Sequence, residues 1–307
     1  MHSRRDFGKV LLAGMPVAAR GAITSKIGGV QIGVISYSFR SMPSREIIPA
    51  MVKIGLGEVE LMSADAETLA GAPVVSSGAP AAERLATQES RKQWRAAVKH
   101  EAFRGVRKQF TDAGIDLRIL CYNMGVNIAD TEIDYAFGMA QALGVRVISS
   151  SATLAVARRV APFADRYKIV WGAHGHDNVK DPEQFATPEV FAKVLALGKY
   201  MGVNLDVGHF TAAGFDAVPY IKENHARITN LHLKDRKKSP PGETTAILNN
   251  NYPWGEGDSP IREVLQLLKK EKYNIPANIE YEYAARASGD ATTEVARCLD
   301  YAKKCLA

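Results

Sequence analysis

Cysteine is scarce. The 307 residues hold three, Cys121, Cys298 and Cys305, and no two stand at a paired metal-type spacing, which excludes a thiolate zinc site. Cys298 and Cys305 lie seven apart on an expected C-terminal helix and can share a face. Packing is the role expected of all three, since free cysteine is commonly buried. Long apolar runs are lacking as well. No segment reaches the ~18 apolar residues of a membrane span. The formal net charge is +6, yet basic residues are dispersed apart from Lys234-Asp-Arg-Lys-Lys238. Without a basic stripe interleaved with aromatics, nucleic acid is not an expected partner. No GxGxxG turn follows the first expected strand, which removes the dinucleotide-binding signature. Nothing reads as a linker.

What is present is a globular composition, 46% hydrophobic and 23% charged, at a length suited to one large α/β barrel or two ordinary domains. The N-terminus reads as a leader. Ser3-Arg4-Arg5-Asp6-Phe7-Gly8-Lys9 precedes an apolar segment, 10–19, that ends in small residues. Charged start, short apolar middle and small-residue end are the layout of an export signal. The paired arginines followed by Phe7 resemble the twin-arginine class. The expectation is an export signal and disordered leader over 1–28, one barrel domain over 29–307, and a periplasmic protein. No cysteine follows the segment, so a lipid anchor is not expected.

Along the mature chain, β-branched runs alternate with helical periodicity. Strands are expected at 30–38, 57–62, 117–122, 145–149, 168–171, 203–207, 228–233 and 277–281. Helices are expected at 91–113, 132–143, 188–200, 215–223, 260–270 and 291–304, with Ser44 capping a further helix after the first strand. Residues 63–90 are rich in Ala, Gly, Ser and Pro and read as a long rim loop over the site. A second loop, 236–259, carries Trp254-Gly-Glu-Gly257. Eight such β/α units close a (β/α)₈ TIM barrel, with its site at the carboxyl ends of the strands. A doubly wound open sheet is the alternative. It leaves unexplained why so many strands end in ligand-type residues.

Asn204-Leu-Asp206-Val-Gly-His209 is the clearest such strand end. Three others deliver His174, His232 and Glu280. Singly, each residue is more often a cap or a rim hydrogen bonder, so the argument rests on their joint occurrence. Neighbouring strands lie ~4.8 Å apart, which lets the four side chains converge. Two imidazoles and two carboxylates suit Mn²⁺, Zn²⁺, Co²⁺ or Fe²⁺ better than Ca²⁺. Such an ion acts as a Lewis acid on a carbonyl or an enediolate.

The order of motifs resembles the sugar phosphate isomerase/epimerase group of the xylose isomerase-like barrels. The matching pieces are Val59-Glu60-Leu61, Asp206-x-x-His209, His232-Leu-Lys-Asp235, Pro253-Trp-Gly-Glu-Gly257 and Ile279-Glu280-Tyr-Glu282. Together they span nearly everything after residue 30. The resemblance implies that Asp206, His232 and Glu280 bind a divalent metal, commonly Mn²⁺, and that His209 contacts substrate hydroxyls. The fifth strand departs from the pattern. Epimerases of the group typically end it in Glu-Asn-His, the glutamate serving as ligand and base, whereas this chain has Ala173-His174-Gly175-His176. Related members carry His-Asn-His there.

The expected function is a metal-dependent isomerase or epimerase acting on a keto-sugar or keto-glycoside through an enediolate. Glu280 is the expected ligand and general base, with His176 or Glu60 as the second base. A lyase or hydratase working beside the ketone is one alternative, and a non-catalytic sugar-binding barrel another. An endonuclease-like trinuclear site needs more His and Asp ligands than the sequence offers. Lys234 and Arg236 are candidates for substrate oxygens, or a solvated charge run. Trp254 either stacks on a sugar ring or caps the barrel. Glu282 shares a face with Glu280, Asp235 is a candidate for orienting a ligand, and Tyr37 and Asn123 are weaker substrate contacts. A homo-oligomer pairing through the rim at 63–90 is a candidate assembly.

Overall fold

Eight parallel strands close on themselves in the computed structural model, whose described residues are 21–75, 78–239, 250–285 and 289–307. They are β1 (Val30–Ile35), β2 (Glu58–Met62), β3 (Asp116–Cys121), β4 (Val147–Ser150), β5 (Val170–His174), β6 (Met201–Asp206), β7 (Ile228–Leu233) and β8 (Ala277–Ile279). Each pairs with the next, and β8 returns to β1, with Ile279 beside Val34. This is a single (β/α)₈ TIM barrel with its helices outside. Among the described residues, no helix is long and apolar enough to cross a membrane.

Three strands carry the same tripeptide plan: Asn204-Leu-Asp206, Asn230-Leu-His232 and Asn278-Ile-Glu280. Side chains alternate between the faces of a strand. Leu205, Leu231 and Ile279 therefore join the apolar core beneath the helices, and the polar residues face the barrel interior. The helices answer with apolar stripes. In Ile261–Glu271 the buried residues are Ile261, Val264, Leu265, Leu267 and Leu268, the spacing of one helical face. Thr153, Thr187 and Asp290 cap the helices Leu154–Tyr167, Pro188–Leu195 and Ala291–Leu306 by accepting backbone N–H groups, which supplies partners for otherwise orphaned donors.

Four expectations need correction. Residues 63–90 are not a loop: they hold the helix Ser63–Leu69 and the start of Ala81–Ala97. The reason is visible in the second helix, where none of the residues is buried, so there is no apolar period to read. Trp94 sets its ring edge-on to Phe103, with centroids 6.2 Å apart, and the other attachments are polar. Arg95 forks onto the buried Glu67 at 2.7 and 3.1 Å, and Arg91 reaches Pro73 O and Thr68 Oγ1. Second, Ser44 caps nothing; its hydroxyl donates to Asp65. Third, the helix Leu154–Tyr167 was not anticipated, because Pro162 and its two adjacent arginines break the pattern.

Fourth, the packed chain begins before residue 29. Ile23 N donates to Gly114 O at 2.8 Å, Gly57 N donates to Ser25 Oγ, and Lys26–Ile27 pairs antiparallel with β1. A Cβ at Gly57 would sit 1.8 Å from Ile23 O, so glycine is required for this approach. Residues 21–28 thus lie against the amino ends of β1, β2 and β3. Residues 1–20 of the expected leader over 1–28 lie outside the described residues.

Candidate metal centre

The barrel interior is built in three polar layers. The deepest is centred on Glu60, at the middle of β2 and fully buried. Its Oε2 accepts from Asn230 Nδ2 and Asn278 Nδ2, both at 2.8 Å, and lies 2.7 Å from His232 Nε2. Its Oε1 accepts from the Ser149 hydroxyl. Three partners crowd Oε2 and one reaches Oε1, so both oxygens of the carboxylate are engaged. Glu60 is absent from the lining of the cavity above, so its place is beneath the site as a support for His232, and the assignment of a base role to it is corrected. Gly33 makes room for this layer: a Cβ there would meet Asn278 Oδ1 at 2.4 Å.

The second layer holds His174, Asp206, His232 and Glu280, each buried, with one ligand atom from each within 4.8 Å of the others. The register explains the convergence. Asp206 lies beside His232 across β6 and β7, and Asn278 beside His232 across β7 and β8, which brings Glu280 next. Asp206 divides its two oxygens. Oδ1 accepts His209 N at 2.7 Å and caps the short helix Val207–Ala212, which is the physical content of the Asp-x-x-His spacing. Oδ2 faces the other ligands.

The donor set fits a divalent ion. Asp206 Oδ2, His232 Nδ1 and Glu280 Oε2 are buried without a well-formed hydrogen bond, contacted there only by one another and by the Lys234 ammonium, a costly state unless something completes them. His174 brings Nε2 to 3.9 Å from Asp206 Oδ2. His232 Nε2 is committed to Glu60, which leaves Nδ1 for the ion, 3.2 Å from Glu280 Oε2. Carboxylate support of this kind raises the basicity of a ligating imidazole.

Electrostatics separate the four groups. Burial pushes Asp206 up to about 7, only partly offset by the Lys234 ammonium. For Glu280, burial is outweighed by Lys234 and His232, which hold it well below the usual carboxylate range. Burial also opposes charge on His232, but the Glu60 and Glu280 carboxylates overcome it and hold the ring well above the ordinary range. His174 is driven well below its ordinary value by burial and by the neighbouring His232 and His176 rings.

The third layer opens to a cavity of about 220 Å³ lined by Tyr37, Asn123, Ser151, His174, His176, His209, His232, Lys234, Glu280 and Glu282, with Ile35, Met62 and Cys121. His176 Nε2 lies 3.1 Å from Ser151 Oγ, and burial lowers its pKa. Lys234 Nζ sits 2.5 Å from Glu282 Oε2. Arg236 does not reach the cavity. Its Nη1 donates to Asp177 Oδ2 at 2.7 Å and to His209 Nδ1 at 2.6 Å. That bond fixes the His209 proton on Nε2, so His209 donates towards the cavity. It also argues against a second ion on His174, His176 and His209, which lie close enough together to form such a group.

Two further expectations are not met. Trp254 lies away from this cavity, edge-on to Tyr301 at 6.0 Å, over a separate hollow beside the C-terminal helix. It therefore does not line the cavity above the His174, Asp206, His232 and Glu280 group. Asp235 orients no ligand. It accepts the backbone N–H groups of Gly255, Gly257 and Ser259 and ties down the loop. The described part of the 63–97 excursion contributes nothing to the cavity lining. Sequence reading missed Ser149, Asn204, Asn230, Asn278, Ser151 and Asp177. The Asn two residues before Asp206, His232 and Glu280 was the available signal for three of them.

Residues 72–304 match the family model described as xylose isomerase-like TIM barrel. No curated protein matches the sequence. Similar solved structures include a sugar phosphate isomerase/epimerase from Parabacteroides distasonis ATCC 8503, at 15% identity over 94% of this chain and 99% of that one, with a TM-score of 0.58. The probable 3-DHS dehydratase AsbF of petrobactin synthesis from Bacillus anthracis is similar at 12% identity over 88% and 97%, TM-score 0.60. An IolI protein with a binding zinc atom is similar at 14% identity over 90% and 95%, TM-score 0.61. At these identities the likeness is one of fold. With a family model matching most of its length and a closed eight-stranded barrel, the chain belongs to the xylose isomerase-like TIM barrel family.

Proposed function

We propose that this protein is a divalent-metal-dependent isomerase or epimerase of a keto-sugar or keto-glycoside, working through an enediolate. The observation that carries the reading is the buried His174, Asp206, His232 and Glu280 group at the floor of a polar cavity. A bound divalent ion, with Mn²⁺ preferred and Zn²⁺, Co²⁺ or Fe²⁺ sharing the donor set, supplies Lewis acidity to the substrate carbonyl. The chain's own groups do the rest. Glu280 is held ionised by Lys234 and His232 and abstracts the proton beside the carbonyl. His176 follows β5, three strands around the barrel from Glu280, and as a neutral ring it takes or returns a proton from another side. His209 Nε2–H and Lys234 donate to developing negative charge on oxygen. The substrate is a small carbohydrate, and the N-terminal arginine pair points to export to the periplasm, where free or glycosidic keto-sugars are a better match than phosphorylated ones.

A lyase or hydratase reading is favoured by one specific feature. Among the described residues, the carboxylates lining the cavity are Glu280 and Glu282, both directly after β8. A site with its carboxylates on one wall suits proton abstraction followed by loss of a leaving group. Incubating the Mn²⁺-loaded protein with a 3-keto-glucoside in D₂O, followed by proton NMR with His232→Ala as control, separates the two. Deuterium uptake beside the ketone with the aglycone retained is expected. Release of the aglycone makes the protein a lyase. No change with this or a panel of free keto-sugars sinks the keto-sugar reading in favour of a binding barrel.

A further inference from the structure

Lys234 lies two residues beyond His232 and turns its ammonium into the same layer. Nζ is 3.0 Å from Asp206 Oδ2, 3.0 Å from Glu280 Oε2 and 2.5 Å from Glu282 Oε2. The first two are the oxygens that face the other ligands, and neither has a hydrogen-bonding partner of good geometry. An ammonium and a divalent ion would therefore draw on one pair of carboxylate oxygens.

The charges set the terms. Asp206, Glu280 and Glu282 together bring three negative charges when ionised. Lys234 balances one of them, and a divalent ion balances two. In a buried site two cations a few ångströms apart repel far more strongly than in water, so each must hold a separate share of the carboxylates. The stem of Lys234 is pinned. A Cβ on Gly208 would meet its Cγ at 2.4 Å, so the helix after Asp206 packs directly on the side chain. The lysine side chain is 3% exposed and that of Glu282 is 21% exposed. Glu282 is the outermost of the three partners, and the ammonium can move to it by a small shift of its end.

We propose that Lys234 is a resident cation that competes with the metal ion for Asp206 and Glu280, and that ion binding leaves its ammonium on Glu282 alone. This rests on the metal reading of the site given above. It makes Lys234 a regulator of metal affinity, set by Glu282, and it frees the ammonium from Asp206 and Glu280 on the wall of the substrate cavity once the ion is in.

Calorimetric titration of metal-free protein with MnCl₂ and with ZnCl₂ tests it. Lys234→Met is expected to bind the ion at least tenfold more tightly than the wild type. Glu282→Gln is expected to bind at least tenfold more weakly, because the ammonium loses its outer partner and stays on Asp206 and Glu280. Circular dichroism checks that each variant is folded. A folded Lys234→Met that binds no more tightly overturns the competition. If that variant does not fold, Glu282→Gln decides alone, and binding as tight as wild type overturns it. A wild type that binds neither ion sinks the metal reading and the competition with it. A wild type that binds one ion while the variants fail these orders sinks the competition alone.

Discussion

Glu60 Oε2 lies 2.7 Å from His232 Nε2, and the two are joined at the fully buried centre of the barrel. The bond decides which nitrogen of His232 remains for an ion, and the amides of Asn230 and Asn278 decide where Glu60 sits. A carboxylate so placed acts through the ring above it. Glu60→Gln replaces one acceptor oxygen by an amide and loosens the hold on the ring. Metal affinity measured by calorimetry is expected to fall 10- to 100-fold, the usual loss for such supporting groups. Unchanged affinity would mean that His232 needs no support from below.

The metal-free site carries protons that an ion must displace. His232 is held well above the ordinary imidazole range, so it gives up one proton on binding at neutral pH. Asp206 is raised to about 7: below that pH it is protonated and must release a second proton, whereas above it the carboxylate is already free. Affinity therefore falls more steeply with acidification below pH 7 than above it. Titrations in buffers of different ionisation enthalpy are expected to count about one proton released at pH 8 and about two at pH 6. A count that does not change between them would remove Asp206 from the ligand set.

His209 is expected to stay neutral in acid. Burial, then the Lys234 ammonium, lowers its pKa to about 3, and the Arg236 guanidinium bonded to Nδ1 leaves the proton on Nε2. Long-range ¹⁵N–¹H NMR at pH 5 should give the neutral pattern with Nε2 protonated. Arg236→Met is expected to release that preference and mix the tautomers. An imidazolium signal at pH 5 would contradict this account of the ring.

Asp235 accepts three backbone N–H groups from the loop that follows it. Asp235→Ala leaves those donors without a partner, at roughly 1–3 kcal/mol for each one that stays buried. Urea unfolding is expected to show a loss of about 2–4 kcal/mol, with metal affinity within threefold of wild type. A large loss of metal affinity without a loss of stability would return Asp235 to the role of ligand support.

Much of the centre was legible because barrel chemistry reads out at strand ends. Asp206, His232 and Glu280 each close an apolar run, and alternation along a strand fixes which face they take. Glu60 was misread for the same reason. It also lies near a strand end in sequence, and only the closure of the barrel reveals that Asn230, Asn278, Ser149 and His232 surround it. The three asparagines were visible as a repeat, yet an asparagine two residues before a ligand has no reason to be noticed until its partner is found: Glu60 for Asn230 and Asn278, and the His232 ring for Asn204. The first ten residues of the helix Ala81–Ala97 were illegible on other grounds. The helix buries no residue fully, and its attachment through Arg91 and Arg95 depends on partners up to 37 residues away. Lys234 and Arg236 read either as contacts to substrate oxygens or as a solvated run, and the structure buries both, each against carboxylates contributed by other elements.

The strip from Gly21 to Ile27 has a practical consequence for truncation. A chain begun at residue 20 would keep the strip whole, along with the bonds from Ile23 to Gly114 and from Ser25 to Gly57. A chain begun at residue 29, just ahead of the first strand, would lose it. Gly57 and Gly114 would then stand uncovered, and water would gain a way toward the buried Glu58. Where a shortened chain begins is thus a matter of keeping the barrel dry from below.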